Sequence, residues 1–200
     1  GPRAPHSVRR WALFGSVVGA YLFELPADLL GWAPQMAGGA RLGGRTVLGG
    51  IIGGWATVEW AKWRIGHRAP TGDTFAVGLP ISLGIARLGC VFVGCCPGMA
   101  LGPDDPLGHM SQVLHGESRF PATLIDSYLQ VGAGAVILVL TRLGWASGRR
   151  LVGYFAFYGL VRFNLEWVRD VPRPFGGLSY YQVLAAGLAV AGAVVTWRRR

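Results

Sequence analysis

The chain has 200 residues, of which 52% are hydrophobic and 14% charged, with a mean hydropathy of +0.39. A soluble domain carries nearer a quarter charged residues, so this composition excludes an ordinary water-soluble fold. The formal charge of +9 comes from basic residues scattered between apolar stretches, which excludes the single basic stripe of a nucleic-acid binder.

Six apolar stretches follow one another at residues 11–30, 47–63, 75–94, 121–140, 151–168 and 178–197. Each is close to the length of about 20 residues that crosses a bilayer core of about 30 Å. None alternates as a strand would, so the expected fold is all-α: a polytopic helical membrane protein of about six transmembrane helices. Residues 1–200 read as one integral membrane domain, in which Gly1 and Pro2 resemble the remnant of a cleaved tag and nothing resembles a signal peptide. Gly occurs 32 times, which suits close helix packing in lipid. The run GGRTVLGGIIGG reads first as a glycine packing seam and second as a place where a lipid headgroup approaches the backbone. The three cysteines show no metal-quartet spacing, so no metal, cofactor or disulfide framework is expected.

With the amino terminus inside, the inner segments hold twelve basic residues: Arg3, Arg9, Arg10, Lys62, Arg64, Arg68, Arg142, Arg149, Arg150, Arg198, Arg199 and Arg200. The outer segments hold five, Arg41, Arg45, Arg119, Arg169 and Arg173. The positive-inside rule therefore puts both termini in the cytoplasm, with those basic residues against anionic headgroups. The longest loop, 99–120, carries Asp104, Asp105 and Glu117 and falls outside. In this orientation Arg87, Cys95, Cys96, Asp126, Arg162, Glu166, Glu24 and Asp28 converge on the outer half, and Glu59 and Asp73 stay at the inner end. An outward-opening polar cavity follows.

A charge within a bilayer is costly and normally marks a wet, functional cavity. Arg162, Glu166 and Arg169 fall at i, i+4 and i+7, one face of a helix. Arg87 and Arg162 are the expected anion ligands, because guanidinium stays charged and grips phosphate through paired hydrogen bonds. The plainer reading is that each only neutralises a carboxylate, as Arg162 does with Glu166. Glu166 is either an orienter of the arginines or a catalytic carboxylate, and Arg169 either a ligand or a residue snorkelling to the interface. Tyr158, one turn before Arg162, can hydrogen-bond the same ligand, and Asp126 sits at the mouth.

In RLGCVFVGCCPG, Gly89, Gly94, Pro97 and Gly98 predict a helix that breaks and exposes backbone N–H groups to an anion. Cys95 or Cys96 becomes a nucleophile if a nearby cation lowers its pKa, and otherwise is a small packing residue or oxidises outside the cell. His109 and His115 in the outer loop are either general bases or plain surface residues.

These residues in this order resemble the bacterial prolipoprotein diacylglyceryl transferase family, from about residue 43 to the carboxyl end. LGGIIGG resembles the family's histidine-glycine-glycine segment, and ARLGCVFVGCCPG its arginine-leucine-glycine-asparagine signature. FPATLID is similar to the family's histidine-proline-serine-glutamine-leucine-tyrosine-glutamate stretch. YGLVRFNLEWVRD, followed by Gln182, is close to its later arginine-bearing span. The resemblance implies an inner-membrane enzyme that moves diacylglyceryl from phosphatidylglycerol to a lipobox cysteine thiol, leaving a thioether and releasing glycerol phosphate. It implies that Arg87 and Arg162 hold the lipid phosphate, that Tyr158 and Glu166 support them, and that Gly98 keeps the signature's turn.

The chain departs from the family at several positions. Leu48 stands where the family has a histidine proposed to assist thiol deprotonation. Cys90 and Val93 replace asparagines, Cys95 an acidic residue and Phe120 a histidine. The family's first span has no counterpart. The reading is therefore a divergent paralogue whose partners are the membrane, a phospholipid such as phosphatidylglycerol, and a thiol or other nucleophilic acceptor such as a lipoprotein precursor. The alternatives are a non-catalytic phospholipid-binding or transport protein of the same fold, and a thiol redox membrane protein.

Overall fold

A computed structural model describes residues 6–32, 45–96 and 98–199; Arg3, Arg41, Gly43, Pro97 and Arg200 lie outside the described residues. The described chain is helical, with α1 at His6–Leu22, α2 at Leu25–Leu30, α3 at Val47–Arg64 and α4 at Gly78–Val93. The short α5, His109–His115, precedes α6 at Ala122–Arg142, α7 at Arg150–Leu165 and α8 at Tyr180–Arg198. Among the described residues, four stretches are long and apolar enough to cross a membrane: Val8–Leu30, Asp73–Val93, Ala122–Arg142 and Tyr180–Arg198. The other two expected spans form α3 and α7, helices of 18 and 16 residues that pack among these four. Phe14, Trp63, Phe92, Leu160 and Trp197 all stand exposed, a perimeter that suits hydrocarbon and not water.

Two expected helices differ in detail. The first breaks at Phe23 and Glu24, because Pro26 at the second position of α2 has no N–H to give the preceding turn. The fifth ends at Leu165 and tightens into a 3₁₀ turn over Glu166–Val168, after which Arg169 is extended. The i, i+4, i+7 helical stack therefore holds for Arg162 and Glu166 but stops short of Arg169.

The long helices pack as pairs, α1 with α3, α4 with α6 and α7 with α8. Lipid offers no hydrophobic drive between helices, so close van der Waals approach carries the association. Each pair supplies it with glycine. A methyl added to Gly53 would strike the Gly15 carbonyl and come 2.8 Å from the Gly19 Cα, and one on Gly49 would lie 2.5 Å from the Gly19 carbonyl. Gly84 meets Ser127 and Val131 of α6, and Gly159 meets Ala185 and Ala189 of α8. The stretch LGGIIGG is thus a packing seam against α1.

Polar ties join the pairs at one end. Tyr180 donates to the Phe23 carbonyl (2.8 Å) and Tyr181 to Glu24 Oε1 (2.6 Å), fixing the start of α8 to the end of α1. Within the α4–α6 pair, Ser127 donates to the Gly84 carbonyl (2.8 Å). At the same end, Met99 N–H donates to the Val168 carbonyl and Leu101 N–H to the Ser118 carbonyl, so the segment after α4 lies between two others. A Cβ on Gly98 would fall on the Phe120 carbonyl, so only glycine fits there. At the opposite end Asp73 pairs with Arg150 (3.4 Å) and Glu59 with Lys62 (3.1 Å).

Gly53→Val should destabilise the protein by about 1–3 kcal/mol through overpacking, seen as a lower unfolding midpoint in detergent. Gly187→Ala, whose added methyl meets nothing within 4 Å, should be neutral or stabilising by up to about 1 kcal/mol. Equal midpoints for the two variants would refute the seam.

Candidate functional site

The site grows from the start of α8. Ser179 and Gln182 have the S-x-x-Q spacing of a capping box. The Ser179 hydroxyl accepts from Gln182 N–H (3.1 Å), and Gln182 Oε1 accepts from Ser179 N–H (2.8 Å). Both residues are fully buried. Gln182 Nε2 also donates to the Phe163 carbonyl (3.3 Å) on α7, and Ser179 Oγ donates to Glu166 Oε1 (3.4 Å). A helix cap thereby becomes a clamp on the turn that follows α7.

Glu166, with no exposed surface, is the hub. Its Oε2 accepts from Arg162 Nη2 at 3.0 Å and from Arg169 Nη1 at 3.1 Å. A carboxylate can be buried this deeply only if it is paired and hydrogen-bonded. Arg87 on α4 pairs through Nε with Asp126 Oδ2 at 2.8 Å. Asp126 Oδ1 accepts from Gln130 Nε2 (2.9 Å), whose Oε1 accepts from Tyr154 (2.7 Å). Each arginine is therefore held by a carboxylate that is itself held.

Arg87, Arg162, Arg169, Asp126 and Cys96 line one cleft together with Thr123. Three guanidiniums share two carboxylates there, leaving one positive charge without a carboxylate of its own. A third carboxylate, Glu24, lies beyond them, bound to Tyr181. The cleft measures about 10 Å³, room for about one water, so a phosphate enters only if the arginine side chains spread. Tyr158, 1% exposed, lies beside Arg87 and Arg162, with its hydroxyl facing the Arg87 guanidinium but outside regular hydrogen-bond geometry.

Among the other residues expected at the site, Cys95 is exposed at the end of α4, and Cys96, half-buried, lines the cleft. Gly94, left-handed at φ 69°, closes α4 by donating to the Cys90 carbonyl and turns the chain there. Gly98 backs onto Phe120. His109 is exposed on α5 and lines neither this cleft nor a neighbouring cavity of about 340 Å³. His115 borders that cavity, where its Nε2 sits 2.8 Å from the Val91 carbonyl. Leu48, 1% exposed, belongs to the apolar core with Tyr158 and Tyr181, so no proton acceptor stands at that position. Arg169 turns inward to Glu166 instead of snorkelling outward.

The Cys96 thiol is pushed down to about 5, first by its hydrogen bond with Cys90 and then by the Arg169 and Arg87 guanidiniums, against the upward effect of burial. Partial burial and the neighbouring Cys96 push Cys95 upward. At neutral pH the cleft thus presents a thiolate beside its arginines.

Sequence reasoning missed Gln130, Tyr154, Ser179 and Thr123. Gln130, four residues after Asp126, offered a helical-spacing signal. The other three depend on which helices meet. It also missed an apolar chamber of about 790 Å³ between α1, α3, α4 and α7. The chamber runs from Arg45 at the cleft end to Arg9, Glu59 and Arg199 at the other. It is far larger than the polar cleft because the helix pairs touch tightly within themselves and loosely between themselves.

The sequence profile of the prolipoprotein diacylglyceryl transferase family matches residues 7–198. A phosphatidylglycerol–prolipoprotein diacylglyceryl transferase 2 of Clostridium perfringens is 26% identical over 161 residues, 76% of this chain and 61% of that protein. The phosphatidylglycerol–prolipoprotein diacylglyceryl transferase of Helicobacter hepaticus is 30% identical over 59% of this chain and 42% of that protein. The Aeromonas salmonicida protein of the same name is 29% identical over 78% of this chain and 58% of its own length. The chain spans about two-fifths to three-fifths of the length of these curated relatives.

Alkylation should separate the cysteines. Cys96 should react with iodoacetamide down to a pH near 5 and lose reactivity below it, whereas Cys95 should need alkaline pH. Mass spectrometry of the labelled peptides reads both. Arg169→Gln should move the Cys96 midpoint upward, and an unmoved midpoint would show that the arginine does not support the thiolate.

Proposed function

The chain belongs to the prolipoprotein diacylglyceryl transferase family, and from that we propose that it is a membrane transferase using phosphatidylglycerol or a similar glycerophospholipid as donor. The acceptor is a thiol or another nucleophile, such as the lipobox cysteine of a lipoprotein precursor. The observation that carries this reading is the cleft where Arg87, Arg162 and Arg169 meet from α4, α7 and the turn after it, with the Tyr158 hydroxyl beside Arg87. In this reading all six long helices cross a bacterial inner membrane, both termini are cytoplasmic and the cleft opens toward the outside.

The acceptor sulfur attacks the terminal glyceryl carbon of the diacylglyceryl group. The carbon–oxygen bond to phosphorus breaks, a thioether forms and glycerol phosphate leaves. The phosphate oxygen gains negative charge as that bond breaks, so cations already in place favour the transition state over the bound lipid. Arg87 and Arg162 hold the phosphate, Tyr158 donates a hydrogen bond to it, and Asp126 and Glu166 set the guanidiniums. The acyl chains lie in the apolar chamber, which borders Arg45 near the cleft end.

The acceptor's proton needs a base, and Leu48 offers none. We assign it to the Cys96 thiolate. A bound phosphate engages Arg87 and adds negative charge next to Cys96, raising its affinity for the proton in the loaded state.

A second reading, a phospholipid-binding or transport protein without turnover, is favoured by Leu48 alone, an apolar residue in place of a base. Vesicles of phosphatidylglycerol with a lipobox peptide distinguish the two. The transferase should release glycerol phosphate, and Arg162→Ala should slow release at least about 100-fold, as loss of one charge-stabilising donor does. Arg162→Lys should recover part of the rate. Release at wild-type speed in Arg162→Ala would remove the mechanism, and lipid bound without release with every acceptor would favour the second reading.

A further inference from the structure

Beside the arginine cleft, Cys90, Cys95 and Cys96 bring three sulfurs within 4.8 Å of one another, and all three thiols are free. This is the one such group of potential metal ligands among the described residues. We propose that these three cysteines form a site for a single soft, thiophilic metal ion of the monovalent-copper class.

The geometry is close to what an ion requires. A metal–thiolate bond of about 2.3 Å places sulfurs around one ion about 3.8–4.0 Å apart. Cys95 Sγ and Cys96 Sγ are 3.9 Å apart already. The backbone holds this arrangement from three sides. The left-handed Gly94 ends α4 directly before the pair, so Cys90 in the last turn of α4 faces Cys95 and Cys96 after the bend. Thr123 Oγ1 on α6 donates to the Cys96 carbonyl (2.7 Å) and fixes the second cysteine. Gly98 permits the close approach to Phe120 that keeps the following segment in place.

The donor set selects the ion. The cluster holds three thiols and no His, Asp or Glu; the nearby His115 is engaged at the Val91 carbonyl and Asp126 by Arg87, and three sulfurs suit a soft ion. Zinc is almost always four-coordinate in structural sites. Three thiolates around a monovalent ion carry a net charge of −2, and the arginine cleft within Coulombic reach of Cys96, which has one guanidinium more than carboxylates, offsets part of it. An entry route exists, because Cys95 is exposed and Cys90 and Cys96 border the cavity of about 340 Å³. A disulfide between two of the three would need an external oxidant and would leave the third thiol unused.

This site stands on the cysteine geometry and does not depend on the lipid reading; a bound ion occupies the Cys96 thiolate, so a loaded site and a Cys96 base exclude one another. The test uses the full chain in detergent, reduced and kept anaerobic, with Cu(I) in competition with a coloured Cu(I) chelator. One ion should be withdrawn per chain, and Zn(II) in excess should not displace it. Cys90→Ser and Cys96→Ser should each weaken binding at least about 100-fold, since even loss of an outer partner costs a metal site 10–100-fold. On the unmutated protein, Cu(I) should protect all three cysteines from alkylation together, a readout that needs no variant to fold and no transferase activity. Copper left on the chelator, wild-type affinity in Cys90→Ser, displacement by zinc, or labelling unchanged by Cu(I) would each overturn the site. So would Cu(I) converting the cysteines to a disulfide without being retained.

Discussion

A carboxylate with no contact with solvent survives in an apolar bundle only if cations neutralise it, and Glu166 is that carboxylate. Much of the site follows from this constraint. Arg162 and Arg169 are drawn to one oxygen atom of Glu166, and the Ser179 hydroxyl meets the other. Because Ser179 also caps α8, the charge cluster and the helix start cannot be rearranged separately. Removing one partner of such a buried group leaves the others uncompensated, which is costly at low dielectric. The arginines are thus anchored to their carboxylates before any ligand arrives, and a phosphate enters between them only as their side chains spread.

The membrane setting explains why the bundle divides as it does. Helices in lipid gain little by hiding apolar surface from one another, so close approach at small residues decides which helices pair. Glycines bring α1 against α3 and α7 against α8 until backbone touches backbone. Between the pairs, larger side chains such as Trp55, Leu83 and Phe155 keep the helices apart and leave the apolar chamber. One packing rule therefore yields both the rigid pairs and the space that suits acyl chains.

The charged residues of α7 and the turn after it gather at one cleft, with Glu166 and Tyr158 beside Arg162, and the tight turn at Gly98 is enforced by the Phe120 carbonyl. Leu48 stays in the apolar core, while the three cysteines gather beside Arg87 and Arg169. Sulfur and guanidinium groups thus meet where α4 ends.

The sequence by itself determined that the chain is helical and apolar enough for a membrane, because long non-alternating apolar stretches satisfy their own backbone only as helices. It also determined that Arg87, Arg162 and Glu166 share one end, since helix length and alternating direction fix depth. The glycine seam was legible as a run of small residues, but its partner on α1 was not. Only the tertiary structure decided that Arg169 reaches Glu166 from an extended segment and not from a helix face, and that Asp126 belongs to Arg87. Ser179, Gln130 and Tyr154 joined the site in the same way, through contacts between helices. Periodicity reports which face of a helix a residue occupies, and nothing in it states which other helix that face will meet.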